Sequence, residues 1–428
     1  MVADNTQQDP VVITGIGMVT SLGIDRESTW DAIVGGQCGI RKFDARYGVP
    51  DGVRIAAQVQ LPNELRRFDQ LNSIRFSQIA FDEALRDAQV SLDSIAPHRI
   101  GLGCAAHMGD VRIRYFEEGV WSAADQVTPW WSQWLPNSVA HSIIEQRPDF
   151  KYPQIQGPRL CYSTACASSM IAMIQSIRAI RRGEADIMVA GGGECIDNLF
   201  ASGFFSMRAL SRSENPEQGC QPFDVNRSGF VMGEGACYIV FERLSHAVAR
   251  GATIYASVLT ERMASQAHHI TSLEVDNESL SYLIRETIRS CGLLPADIDY
   301  INAHGTGTEQ NDLTEITCIN QVFNSDAERL HVSSTKSQIG HLVNASGSTE
   351  LAITTLGLRD GVSPPTVNLN EPESDCLFNC VANQSQQRKA KTSIKISQAF
   401  GGHLASIALQ RFEGHDNSFA YPKKIRAA

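Results

Sequence analysis

Short runs rich in β-branched and aliphatic residues recur along this chain. Val11-Val12-Ile13-Thr14-Gly15-Ile16-Gly17 opens the series, and similar runs lie at residues 100–104, 187–190, 237–241, 254–259 and 394–397. Most of them are short enough for strands buried on both faces. Between them the period lengthens to that of a helix. Residues 73–88 set Ile74, Phe76, Ile79, Ala80, Ala84 and Leu85 along one stripe, and 168–182 and 280–291 behave alike. Strands alternating with helices predict an α/β protein. Arg250-Gly251-Ala252 reads as a seam between an N-terminal set, residues 1–251, and a C-terminal set, 252–412, with 413–428 as a polar tail.

Composition narrows the function classes. A chain of 428 residues with 43% apolar content fills an extensive core. Its 37 Lys and Arg against 47 Asp and Glu give a net charge of −10, which argues against a general nucleic-acid or anionic-membrane surface. Eleven cysteines without a Cys-x-x-Cys pair read as thiols in a reducing compartment. The first ten residues lack the basic start and apolar stretch of a signal peptide, and no run of 18 apolar residues occurs. The expectation is a soluble, cytoplasmic protein.

Chemistry first shows at Cys161-Tyr162-Ser163-Thr164-Ala165-Cys166-Ala167-Ser168-Ser169, which runs straight into a helical stretch. Small residues crowd Cys166. At the first turn of that helix, unpaired N–H groups and the positive dipole end would stabilise a thiolate and depress the thiol pKa. Such a thiolate attacks acyl thioesters. A lone buried cysteine is more often a packing residue, so its company decides the reading.

Two histidine loops supply that company. Tyr300-Ile301-Asn302-Ala303-His304-Gly305-Thr306-Gly307-Thr308 sets His304 at a strand end, where α/β folds place ligands. Ser333-Ser334-Thr335-Lys336-Ser337-Gln338-Ile339-Gly340-His341 then leads through Leu342-Val343-Asn344-Ala345-Ser346-Gly347 into a helix carrying Glu350. One cysteine, two histidines and a lysine thus share small-residue turns.

These motifs, Cys166 in Thr164-Ala165-Cys166-Ala167-Ser168-Ser169, His304 in Asn302 to Thr308 and His341 in Lys336 to His341, resemble the active-site motifs of the β-ketoacyl-acyl carrier protein synthases. The likeness is to the elongating Cys-His-His type of the thiolase superfamily. Met188-Val189-Ala190-Gly191-Gly192-Gly193-Glu194, Pro222-Phe223-Asp224, Gly229-Phe230-Val231-Met232-Gly233-Glu234-Gly235 and Phe400-Gly401-Gly402 support it, in the family's order across residues 10–412. The resemblance implies a five-layered α-β-α-β-α thiolase-like fold of two related halves, and a homodimer.

It also implies an activity, the decarboxylative Claisen condensation of an acyl thioester with a malonyl thioester in fatty-acid or polyketide-type elongation. Cys166 would accept the acyl group, with the backbone N–H groups of Cys166 and Phe400 as oxyanion hole. His304 and His341 would direct Nε2–H groups at the enolate oxygen. Lys336, a partly buried ammonium between them, would keep both neutral, balanced by Glu350. Thr306 and Thr308 match threonines that bond the phosphopantetheine arm. Arg66, Arg67 and Arg208 match positions that meet the acidic carrier protein, and Met108 matches one that limits acyl depth. Trp130, Trp131 and Trp134 fall in a segment that lines the pocket and dimer contact in relatives. No cofactor or metal is held permanently on this reading, since substrates travel as thioesters on the carrier's phosphopantetheine.

The chain departs from the family at three places. Ala399-Phe400-Gly401-Gly402-His403-Leu404 stands where relatives carry glycine before the phenylalanine, and a Cβ at Ala399 would make positive φ costly. Gln266-Ala267-His268-His269 lacks an aspartate before its histidine, and Asn344-Ala345-Ser346-Gly347 replaces a plainer Gly/Ala run. These differences point to a specialised pathway. Two other readings stay open: a chain-length-controlling partner subunit, which would normally lack Cys166, and an acyltransferase that uses Cys166 without forming a carbon–carbon bond.

Overall fold

The computed structural model describes residues 9–43, 52–66, 71–106, 137–144, 152 and 154–413. Met108, Arg67, Trp130, Trp131 and Trp134 lie outside them. One ten-stranded sheet runs through the molecule. The N-terminal half contributes β1 (Val11–Val19), β2 (Ile100–Ala105), β3 (Arg159–Tyr162), β4 (Ile187–Glu194) and β5 (Gly235–Arg243). The C-terminal half contributes β6 (Ala256–Ser265), β7 (Tyr300–Asn302), β8 (His331–Ser333), β9 (Thr392–Ala399) and β10 (His403–Arg411). Their spatial order is β8-β7-β9-β10-β6-β1-β5-β4-β2-β3.

Read outward from the centre, the two halves repeat one plan. In the first, β1 and β5 pair antiparallel, as do β5 and β4, while β4–β2 and β2–β3 are parallel. In the second, β6–β10 and β10–β9 are antiparallel, while β9–β7 and β7–β8 are parallel. The halves join where β1 meets β6 antiparallel, Val11 opposite Val258 and Ile13 opposite Ala256.

Five layers follow from where successive side chains go. Along β5, Cys237, Ile239 and Phe241 enter the central core, while Ala236, Tyr238 and Val240 enter an outer one. Along β10, Ala405, Ile407 and Leu409 face the centre, and Leu404 and Ala408 face a third core. Because both faces are covered, these strands lack a polar side. Helix α1 (Asn72–Asp87) packs outside β1, β5 and β4, and α3 (Glu278–Ser290), with α4 (Glu309–Phe323) beside it, outside β6 and β10. Between the two half-sheets lie α2 (Ser168–Arg181) and α5 (Ser346–Asp360), in contact with each other.

The predicted helices 73–88, 168–182 and 280–291 coincide with α1, α2 and α3 to within about two residues at each end, the usual uncertainty of helix boundaries. Close approach explains the glycines of the first run. A Cβ on Gly17 would lie 1.9 Å from the Ala80 carbonyl oxygen of α1.

Candidate active site

Each half delivers one strained turn to the centre. Before α2, residues Ala165–Ala167 form a single 3-10 turn that Ala165 enters at φ +46°. Before α5, Val343–Ala345 do the same with Val343 at φ +40°. A β-branched residue in the left-handed region is a genuine outlier, held by its surroundings. Cys166 and Asn344 occupy corresponding places in the two turns.

The sulfur of Cys166 lies 3.1 Å from Nε2 of His341. The His341 ring sits 5.5 Å from that of His304, edge to face, and Phe230 meets it from another side at 5.1 Å. His341 is held by its main chain, through N–H to the Val231 carbonyl at 2.7 Å. Its tautomer is fixed by a donor: Val343 N–H points at Nδ1 at 3.2 Å. Nδ1 therefore accepts, and the ring proton resides on Nε2. His304 lies two residues beyond the end of β7, its N–H and that of Gly305 both donating to Glu315 of α4 at 2.6 Å.

Lys336 reaches the main chain of His304. Its fully buried Nζ donates to the His304 carbonyl at 2.6 Å and to Glu350 Oε1 at 2.5 Å. A second buried ammonium, Lys395 of β9, pairs with Glu350 Oε2 at 2.5 Å and donates to the Ala303 carbonyl at 3.0 Å. Two lysines thus share one carboxylate behind the histidines. Burial, and next the Lys336 charge, hold both imidazoles well below their usual range, so both are neutral. Glu350→Ala would leave both ammoniums without this carboxylate. The variant is expected to lose about 3–5 kcal/mol of stability, read by urea denaturation.

The Cys166 thiol behaves opposite to the expectation from the helix start. Burial pushes it up to about 12, because loss of water outweighs the Lys336 charge and its own backbone N–H. The resting sulfur is a thiol facing an Nε2–H. Ala399 also departs from its expectation: it is the last residue of β9, and positive φ falls on Gly401 (+82°) and Gly402 (+78°) instead. The Cβ of Ala399 therefore strains nothing.

Cys166, His304, His341, Thr306, Thr308, Phe400 and Arg208 all line one cavity of about 580 Å³, within the size range of small-molecule sites. The hydroxyls of Thr306 and Thr308 are 2.8 Å apart. Phe400 sits at the turn after β9, its ring 6.4 Å from that of Phe204, which packs on Phe230 at 5.1 Å. Arg208 and Arg212 are exposed at the edge of this cavity. Arg66 is exposed elsewhere, its Nε donating to the Leu61 carbonyl. All eleven cysteines are free. Among the described residues, no His, Cys, Asp and Glu cluster could hold a metal, and no helix is long and apolar enough to cross a membrane.

Several groups here escaped the sequence reading. Lys395 hides in Ile394-Lys395-Ile396, inside a run read as strand, where nothing in the sequence marks a fully buried charge. Glu315 and Asp312 had a usable signal, carboxylates in the helix that follows the His304 loop, where N–H groups await acceptors. Asn311 links them to the cavity: its amide donates to both carboxylates, so its Oδ1 receives Gln398 Nε2–H at 3.1 Å.

The sequence matches the family pattern of the beta-ketoacyl synthase N-terminal domain over residues 8–247 and of the C-terminal domain over 255–370. The chain belongs to the β-ketoacyl synthase family. The 3-oxoacyl-[acyl-carrier-protein] synthase 2 of Coxiella burnetii is 33% identical over 420 residues, covering 94% of this chain and 98% of its own. Its counterpart from Rhizobium meliloti is 34% identical over 428 residues, covering 95% and 99%. Among solved structures, the complex of a type II PKS acyl-carrier protein with its ketosynthase bound to the hexaketide aligns with a TM-score of 0.85 at 27% identity, covering 95% of this chain and 100% of that one. As a ketosynthase homologue with the thiolase-like fold, the chain is an acyltransferase-class enzyme that takes part in fatty-acid or polyketide elongation.

Proposed function

We propose that this ketosynthase loads an acyl group onto Cys166 and condenses it with a malonyl unit, both delivered on an acyl carrier protein. One observation carries the reading: a thiol lies 3.1 Å from an Nε2–H in a cavity that a second neutral imidazole also lines. In the first step sulfur attacks the thioester carbonyl, the new carbon–sulfur bond forms, and the arm's thiolate leaves with the Cys166 proton. The N–H groups of Cys166 and Phe400 receive the transient oxyanion. In the second step the malonyl thioester loses carbon dioxide, its electron pair passing to an enolate whose oxygen accepts from His304 and His341. Neutral imidazoles suit this role, since they donate without giving up a full proton. The enolate carbon then attacks the acyl carbonyl and expels the Cys166 sulfur.

Malonyl-dependent release of carbon dioxide, set beside the intact mass of the acylated protein, tests this. Condensation requires both; acylation of Cys166 with no release would favour transfer to an alcohol or amine. On this reading Thr306 and Thr308 hold the phosphopantetheine arm, and Met108 limits acyl depth. Arg208 meets the acidic carrier at the cavity mouth, and Arg66 and Arg67 add further carrier contacts. Arg208→Glu is expected to raise KM for carrier-bound malonyl by about tenfold, with kcat unchanged. KM for a small malonyl thioester should stay put; equal changes for both would contradict docking. The reading includes a cytoplasmic homodimer whose subunits divide near Arg250, a seam that falls between the two matched ranges. Light scattering of the eluted protein tests the dimer.

A further inference from the structure

The hydroxyl of Ser346, first residue of α5, lies 2.8 Å from Nδ1 of His341 and is buried. The mechanism above leaves it unused. Its role in the bond follows from its neighbour. Val343 N–H already donates to Nδ1, which makes that nitrogen an acceptor, so the Ser346 O–H can only donate as well. Nδ1 therefore receives two donors, one from the strained turn and one from the helix start. The corresponding hydroxyl in the other half does something different: Ser168 accepts from Thr164 N–H at 2.9 Å and donates to the Ala165 carbonyl. Ser346 is also part of the run in which this chain departs from the family pattern.

We propose that Ser346 is a positioning residue for His341, donating its O–H to Nδ1 so that the ring presents a polarised Nε2–H to the reacting oxygen. This rests on the condensation reading. A donor at Nδ1 draws electron density from the ring and strengthens hydrogen bonding at Nε2. It also opposes protonation at Nδ1 and closes off the other tautomer. The effect belongs to the step that needs Nε2–H as a donor, the malonyl step.

The test uses the full-length enzyme with Ser346→Ala, measuring Cys166 acylation and malonyl-dependent carbon dioxide release separately. Release is expected to fall about fivefold, the factor one neutral hydrogen bond is worth, with acylation unchanged. The histidine 15N spectrum should show the His341 Nδ1 signal shifted toward a less hydrogen-bonded acceptor. Equal loss in both steps, or release at the wild-type rate, would overturn the proposal. Should the alanine variant fail to fold, Ser346→Cys fills the site with a slightly larger, weaker donor. It is expected to lose about twofold in release alone, and undiminished release would count against Ser346. A wild type that releases no carbon dioxide would remove the condensation reading itself, which separates the two failures.

Discussion

Cys166→Ala abolishes acyl transfer in this account, and the protein no longer gains mass from any acyl thioester. The remaining ten cysteines do not substitute, since Cys166 is the thiol placed 3.1 Å from His341 in the cavity. Because burial holds the thiol up to about 12, alkylation by iodoacetamide should be slow at pH 7 and rise tenfold per unit through pH 9. The sign follows from thiolate being the attacking species, whose fraction grows with pH until the pKa is reached. A rate that levels off below pH 8 would contradict a buried neutral thiol. Full acyl transfer in Cys166→Ala would contradict the assignment outright.

His341→Ala divides the reaction. Its Nε2–H is worth about 10²–10³ in rate where it faces a developing oxyanion, as single oxyanion donors are elsewhere. Carbon dioxide release from malonyl thioester should fall by that factor. Acylation should change by less than about tenfold, because its own oxyanion is received by backbone N–H groups. Separate single-turnover rates for the two steps measure the split, and equal loss in both would contradict this division of labour.

How much was legible in the sequence follows from what each feature needed. The strand runs and α1, α2 and α3 announced themselves by period, because burial on one or two faces leaves a direct trace in residue type. Cys166, His304, His341 and Lys336 were singled out by residue chemistry in small-residue turns. The raised thiol pKa was not legible, since the helix start is visible in the sequence while the depth of burial around it is not. Lys395 stayed hidden because a charged residue between two isoleucines is ordinary in a strand with one exposed face, and its full burial shows only in the folded chain. The shared use of Glu350 by two lysines needed the third dimension, for Lys336 and Lys395 lie 59 positions apart and meet through α5.

A single turnover of the acyl-Cys166 enzyme with carbon-13-labelled malonyl carrier, followed by mass and carbon-13 spectroscopy, addresses the central chemistry most directly. The account predicts one carbon dioxide released per acyl group consumed, and a β-ketoacyl product carrying a new bond to labelled carbon. Acyl groups leaving Cys166 with the malonyl carboxylate intact and no such bond would contradict it.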